Sequence, residues 1–106
     1  MKTLLKATLT VAALALVFST YTFADAGGDT FKAKCAICHG ATGAGDTVIG
    51  KSKKLRDLGS AEVQKQTDNE LTTLISKGKG IMQPYEGKLT KEQISEIVKH
   101  IRSLKK

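Results

Sequence analysis

Residues 35–39 read Cys35-Ala36-Ile37-Cys38-His39, and the spacing of these residues decides the fold prediction. Two cysteines three positions apart lie about one helical turn from each other, which matches the separation of the two vinyl groups of a haem. The histidine that follows Cys38 then lies under the iron. A C-x-x-C-H sequence is typical of c-type haem attachment. The motif therefore predicts one haem c, held covalently by Cys35 and Cys38, with His39 as an axial ligand of the iron.

Three other interpretations of the cysteine pair compete with haem attachment. A redox-active pair of the thioredoxin type requires a βαβ setting, and the patterns along this chain are helical. A structural zinc site needs four ligands, which Cys35, Cys38, His39 and His100 could supply on paper. A disulfide between the two cysteines is compatible with an exported protein but leaves the adjacent histidine and a thin core unexplained. Haem attachment accounts for all of these features and is favoured.

The second axial position of the iron has one methionine candidate. Met1 belongs to a predicted leader, so Met82 is the single methionine of the remaining chain. It lies about forty residues after the motif, in a glycine-marked loop between two predicted helices. A thioether favours ferrous iron, and ligation by histidine and methionine raises the reduction potential of haem. Filling core space is the alternative role for Met82. The other candidate ligand, His100, lies at the border of an apolar helix stripe, where a packing or surface role is favoured.

The N-terminus predicts an export signal over residues 1–26. Lys2 and Lys6 precede an unbroken apolar run over residues 11–18, and Ala24-Asp25-Ala26 has the small-x-small pattern of a cleavage site. The run is too short for a transmembrane anchor, which needs roughly 20 residues. Cleavage after Ala24 is nearly as compatible with the pattern as cleavage after Ala26. Residues 27–106 form the predicted domain, and its predicted location is the periplasm.

The predicted domain is small and basic. A chain of this size buries a thin core and often depends on a metal or a cofactor, and outside the leader its aromatic carbocycles are only Phe31 and Tyr85. The full chain has 17 basic and 10 acidic residues. Loss of Lys2, Lys6 and Asp25 with the leader leaves 15 and 9, a net charge of +6. A basic surface suits acidic proteins, anionic lipids or nucleic acid, and nucleic acid fits an exported protein least.

Helical patterns dominate the domain and predict an all-α fold with three to four short helices. The first runs from residue 28 or 29 to 35, with Asp29 as its cap, and a second covers residues 60–65. Two helices follow capping-box patterns at Thr67 and Thr90. The last carries an apolar stripe of Ile94, Ile97, Ile101 and Leu104, with Val98 at its edge. Glycine-marked loops over residues 40–50 and 78–87 connect these helices, and no strand pattern is present.

With these residues in view, the sequence resembles short bacterial class I cytochromes c over nearly the whole predicted domain. The resemblance implies that Gly27 and Phe31 on the first helix cross the last helix at Ile97 and His100. Where this chain has His100, the family usually has tyrosine or phenylalanine.

The chain departs from the family pattern at two further places. The family commonly reads Met-Pro-x-aromatic after the methionine ligand, whereas this chain reads Met82-Gln83-Pro84-Tyr85. The loop after the haem motif also has no proline here, so a non-proline backbone carbonyl within residues 40–50 is expected to accept a hydrogen bond from the His39 ring.

The resemblance also implies a function. It describes a soluble periplasmic carrier of single electrons rather than an enzyme, a monomer without stable membrane insertion, whose iron cycles between Fe(III) and Fe(II). A basic rim is expected to steer it to acidic patches on redox partners. Two other classes stay open: a haem peroxidase-like enzyme or gas sensor if Met82 does not bind iron, and a structural module held by a disulfide. The lysines proposed for the rim are Lys51, Lys53, Lys54, Lys77, Lys79 and Lys88.

Overall fold

The computed structural model describes residues 26–106, so the predicted leader lies outside the described residues except for Ala26. Helices are the regular elements of this part of the chain, which has two isolated bridges and no strand. The predicted all-α fold is confirmed. No helix among the described residues is long and apolar enough to cross a membrane. The helices are α1 (Ala26–Lys34), α2 (Ala36–His39), α3 (Val48–Ser52), α4 (Ala61–Gln64), α5 (Asp68–Lys77) and α6 (Lys91–Ser103).

Hydroxyl side chains set the starts of the helices that follow loops. Thr67 accepts a hydrogen bond from the Glu70 N–H at 3.1 Å, as the sequence pattern predicts for α5. At α6 the full reciprocal box forms. The Thr90 hydroxyl accepts from the Gln93 N–H at 3.1 Å, and the Gln93 side chain accepts from the Thr90 N–H at 2.9 Å. These local signals place both helices where the sequence predicts them.

Two short helices were not predicted, and the first helix begins earlier than expected. Because α1 already includes Ala26, the first described residue, Asp29 lies within the helix and does not cap it. The helical path changes at Cys35, and the motif residues 36–39 form the separate helix α2. Helix α3 lies inside the segment predicted as a loop. Its cap, Thr47, accepts from the Gly50 N–H at 2.9 Å and donates to the Cys38 carbonyl at 2.6 Å, a tertiary contact that no local pattern contains.

The crossing of α1 over α6 forms the main packing contact of the core. A Cβ on Gly27 would overlap the Glu96 carbonyl of α6, so the two backbones approach as closely as only glycine permits. Phe31 and Ile97 are each 1% exposed. The Phe31 ring centroid lies 4.9 Å from that of His100. The crossing residues implied by the resemblance are therefore confirmed.

Helices α5 and α6 supply most of the remaining core. Leu71 and Ile75 of α5 are buried, as is the predicted stripe of α6 with Val98, while Leu104 is partly buried against it. Arg102 connects α6 to the end of α4 and the start of α5. Its guanidinium donates to the Gln64 and Gln66 carbonyls and to the Asp68 carboxylate. This framework leaves an apolar space between α1, α2, α5 and the loop that precedes α6.

Candidate functional site

One cavity of about 500 Å³ brings all four predicted site residues together. Cys35, Cys38, His39 and Met82 line it, although Met82 is more than forty residues from the motif in the sequence. The volume is in the range of small-molecule and cofactor sites. His100 is not among the lining residues, so it has a packing role in the α1–α6 crossing. Much of the remaining wall is aliphatic, from Leu55, Leu58, Val63, Leu71, Leu74, Ile75, Ile97 and Ile101.

The two cysteines are free thiols at the wall of this cavity. Burial, together with the nearby Cys38, raises the pKa of Cys35 to about 11. Reactive cysteine pairs of the thioredoxin type work in the opposite way, because their environment lowers the pKa and generates the nucleophilic thiolate. The environment of Cys35 therefore disfavours thiol–disulfide chemistry.

The structure also bears on the zinc alternative. Within residues 26–106, no three histidine, cysteine or acidic side chains are grouped so that they could hold a metal ion. A structural zinc site needs four such ligands, so this interpretation receives no support.

His39 ends α2 and contributes its imidazole to the cavity wall. Burial lowers its pKa, which favours the neutral ring, the form that binds metals. The Nδ1 atom is buried and has no hydrogen-bond partner among the described residues. The expected bond to a carbonyl of residues 40–50 is therefore absent here. In this region the Gly45 N–H instead donates to the His39 carbonyl at 2.7 Å, which organises the backbone rather than the ring.

Met82 lies in the segment we call the Met82 loop, residues 78–87. Lys79 and Met82 exchange two backbone hydrogen bonds of 3.0 Å, which close a tight turn. Farther along, the Tyr85 N–H donates to the Ile75 carbonyl of α5 at 3.0 Å, and Tyr85 itself is buried. Gly78 opens the loop with a φ of 70°, a conformation that favours glycine. The backbone thus holds Met82, half-buried, at the cavity.

The chemistry of the cavity fits a haem. Imidazole and thioether are the donor pair of cytochrome haem iron, and two thiols stand at the same wall. The lining residues include three cations, Lys34, Arg56 and Lys79, and no carboxylate. This charge matches a ligand that carries acidic groups on an apolar ring. The Nδ1 atom of the His39 ring is buried without a hydrogen-bond partner among the described residues, so no such bond fixes the ring at this nitrogen.

The comparison with known families agrees with this chemistry. The family described as cytochrome c oxidase, cbb3-type, subunit III matches residues 22–101. The chain belongs to this family of class I cytochromes c. As a member, it binds haem c and transfers electrons. The cytochrome c6 of Leptolyngbya boryana is 33% identical over 78 residues, which cover 74% of this chain and 88% of that relative.

A solved structure places this cytochrome c in the same fold. The KustC0563 c-type cytochrome superposes with a TM-score of 0.70 and 32% identity. The match covers 76% of this chain and 98% of that structure. Because nearly the whole neighbour is covered, the similarity extends over an entire cytochrome c domain rather than over the motif alone.

The charged surface of this cytochrome c differs in part from the predicted rim. Of the six predicted lysines, Lys79 lines the cavity, while Lys77 pairs with Glu86 at 2.7 Å. The sequence analysis missed Lys34 and Arg56 as lining residues. Lys34 directly precedes the Cys35–His39 motif, so its place in the sequence could have indicated that it lies beside the cavity. Arg56 reaches the cavity through the fold, and no local pattern indicates it.

Proposed function

We propose that this cytochrome c is a soluble, monomeric carrier of single electrons with one haem. In this proposal Cys35 and Cys38 form the two thioethers, and His39 and Met82 are the axial ligands of the iron. The observation that carries the proposal is that these four side chains line a single, largely aliphatic cavity. No other arrangement of the described residues supplies the same donor set around a space of cofactor size.

Bound haem supplies a reversible Fe(III)/Fe(II) couple, and the protein controls its surroundings. The aliphatic wall excludes water, which favours the less charged, reduced state of the site. A neutral imidazole at His39 and a thioether at Met82 provide ligands suited to ferrous iron. The buried α1–α6 crossing fixes α1, and with it the start of the motif at Cys35. The protein thereby holds the cofactor in one geometry during oxidation and reduction, and no substrate is transformed.

The proposal includes a location and a type of partner. Residues 1–26 are a cleaved export signal, residues 27–106 are the functional domain, and the mature protein works in the periplasm. Lys34 and Lys79 at the cavity give its rim a positive charge, to which Arg56 adds less because it pairs with Glu62 at 3.3 Å. This charge suits redox proteins with acidic patches. Two exposed apolar side chains, Ile37 and Ile81, also belong to the cavity lining. A cationic rim with an apolar centre is suited to brief contacts with proteins.

An absorption spectrum tests the proposed ligands. The protein is matured in a periplasm that contains haem-attachment machinery and is examined in ferric and ferrous states, before and after carbon monoxide. Sharp ferrous α and β bands, a weak ferric methionine-to-iron charge-transfer band and no response to the gas are expected. A high-spin ferric spectrum with rapid gas binding would instead indicate an open iron site, as in a haem enzyme or a gas sensor.

A further inference from the structure

A chain of side-chain hydrogen bonds crosses the Met82 loop. The Lys88 ammonium donates to the Gln83 Oε1 at 2.7 Å, and the Gln83 Nε2 donates to the Tyr85 hydroxyl at 3.3 Å. The Tyr85 hydroxyl donates in turn to the Lys34 carbonyl at 3.2 Å. Each group gives its hydrogen in the same direction along the chain. Such an arrangement lets successive hydrogen bonds polarise and strengthen one another.

These hydrogen bonds connect opposite parts of the proposed haem site. Gln83 directly follows Met82, and Lys34 directly precedes Cys35. The Tyr85–Lys34 contact joins residues 51 positions apart in the sequence. Among residues 26–106, it is the one hydrogen bond between the Met82 loop and the α1–α2 segment. The loop's backbone bonds to other elements go to α5, at Leu74, Ile75 and Ser76.

Within this series of hydrogen bonds, Gln83 is the residue that directs the Tyr85 hydroxyl to the Lys34 carbonyl. The hydroxyl hydrogen of a tyrosine can point to either of two sides in the plane of the ring, so Tyr85 alone could donate to water or to another carbonyl. The Gln83 amide occupies an acceptor position of the hydroxyl and thereby directs its hydrogen towards Lys34. Gln83 also replaces the proline that is common at this position in the resembling family.

We propose that Gln83 is a positioning residue, which holds the Met82 thioether at the iron through Tyr85 and the Lys34 carbonyl. The inference rests on the proposed function, because it requires Met82 to be the axial ligand. Its consequence is that the strength of this hydrogen-bond chain sets how readily an external ligand displaces Met82. Gln83 itself lines the cavity, and in this proposal it acts by restricting the loop and not as a ligand of the iron.

The experiment measures displacement of Met82 by added imidazole in the ferric, haem-loaded protein. The variants are Gln83→Leu, which keeps the volume and removes both bonds, and Tyr85→Phe, which keeps the ring and removes the hydroxyl. Loss of one hydrogen bond of ordinary net strength should raise the imidazole affinity about two- to thirteenfold in either variant. The variant that combines Gln83→Leu with Tyr85→Phe should have the same imidazole affinity as Tyr85→Phe alone, because both substitutions interrupt the same series of hydrogen bonds.

A matched pair of lysine variants distinguishes loss of the Lys88–Gln83–Tyr85–Lys34 hydrogen bonds from the general effect of removing a positive charge near the loop. Lys88→Leu removes the 2.7 Å contact with Gln83, and Lys77→Leu removes a 2.7 Å contact with Glu86 of the same loop. Only the Lys88 contact is part of the hydrogen-bond series that reaches Lys34. Lys88→Leu should raise the imidazole affinity by about twofold, a small change because its bond is exposed. Lys77→Leu should leave it unchanged. Global unfolding, followed by far-ultraviolet circular dichroism, is measured for every variant.

The outcomes separate the inference from the proposed function. Gln83→Leu with unchanged imidazole affinity would overturn the positioning role. So would an affinity increase of the same size in Lys77→Leu, or a change that merely follows the loss of global stability. Absence of the ferric charge-transfer band in the unmodified protein would instead overturn the Met82 assignment on which the inference rests.

Discussion

The Phe31 ring packs against the His100 ring, with centroids 4.9 Å apart and planes inclined at 44°. This contact joins α1 to α6, and it leaves the His100 Nε2 atom buried without a hydrogen-bond partner among the described residues. The crossing thus combines a favourable ring contact with an unsatisfied polar atom. An unpaired buried polar group costs about 1–3 kcal/mol, so this position is not optimised for stability.

The substitution His100→Phe should therefore stabilise the protein. It keeps an aromatic ring against Phe31 and removes the unpaired nitrogen, with an expected gain of about 1 kcal/mol in the free energy of unfolding. Urea unfolding of the haem-loaded protein measures the effect. His100→Ala is the control, because it removes the nitrogen together with the ring and should lower stability. A loss of stability in His100→Phe would show that Nε2 has a partner in solution.

Two adjacent glycines of α1 should respond in opposite directions to alanine. A Cβ at Gly27 overlaps the Glu96 backbone, so Gly27→Ala must separate the helices and should cost about 1–3 kcal/mol. A Cβ at Gly28 meets only the His100 ring, at 3.4 Å. Gly28→Ala should be neutral or stabilising by up to about 1 kcal/mol, because alanine favours helix. Thermal unfolding of both variants makes the comparison. Equal effects would contradict the close approach at Gly27.

The glycines of the Met82 loop offer a second comparison. Gly78 and Gly80 both have positive φ, 70° and 59°, so alanine at either site carries a backbone cost of about 1–2 kcal/mol. Only at Gly78 does the new Cβ also collide with the loop, at the Met82 carbonyl and 2.8 Å from the Pro84 nitrogen. Gly78→Ala should therefore weaken the ferric charge-transfer band, while Gly80→Ala should retain it. Loss of the band in both variants would show that backbone strain alone displaces Met82.

Acid should weaken the attachment of the C-terminus at Asp57. A hydrogen bond from Lys106 and another from the Gly59 N–H lower the pKa of Asp57 below its ordinary value of 3.8. A carboxyl group whose pKa is lower in the folded state stabilises the protein above the ordinary value, and this contribution is lost as the pH falls through the folded-state pKa. Asp57→Asn should therefore lose less stability than the unmodified protein between neutral pH and pH values well below 3.8.

A second variant tests the same pH effect by removing Lys106, the side-chain partner of Asp57. Lys106→Met leaves the Gly59 N–H in place and should show an intermediate dependence of unfolding free energy on pH. Urea unfolding at a series of pH values gives the curves. If the unmodified protein, Asp57→Asn and Lys106→Met all lose stability in parallel as the pH falls, protonation of Asp57 does not affect the free energy of unfolding.

Several features could be predicted from the sequence because their causes are local. The cysteine–histidine spacing at Cys35 to His39 indicates haem c without knowledge of the fold. The threonine caps predict the starts of α5 and α6, since a cap and its partner lie within one helical turn. The apolar stripe at Ile94 and Ile97 identifies the buried face of α6 for the same reason. The axial role assigned to Met82 stays a prediction until the spectrum is measured.

Other features depended on contacts between residues far apart in the chain. Helix α3 begins where Thr47 reaches the Cys38 carbonyl, and Arg56 lines the cavity only because the chain folds back. The expected carbonyl partner of the His39 ring is missing, and the Gly43 and Gly50 carbonyls of residues 40–50 accept from the Leu58 and Leu55 N–H groups instead. Short-range spacing is enough to predict the haem motif, the helix caps and the apolar faces, because each depends on residues within a few positions of one another. The link from Gln83 to Lys34 through Tyr85 is visible only in the folded protein, because it requires segments distant in the chain to meet.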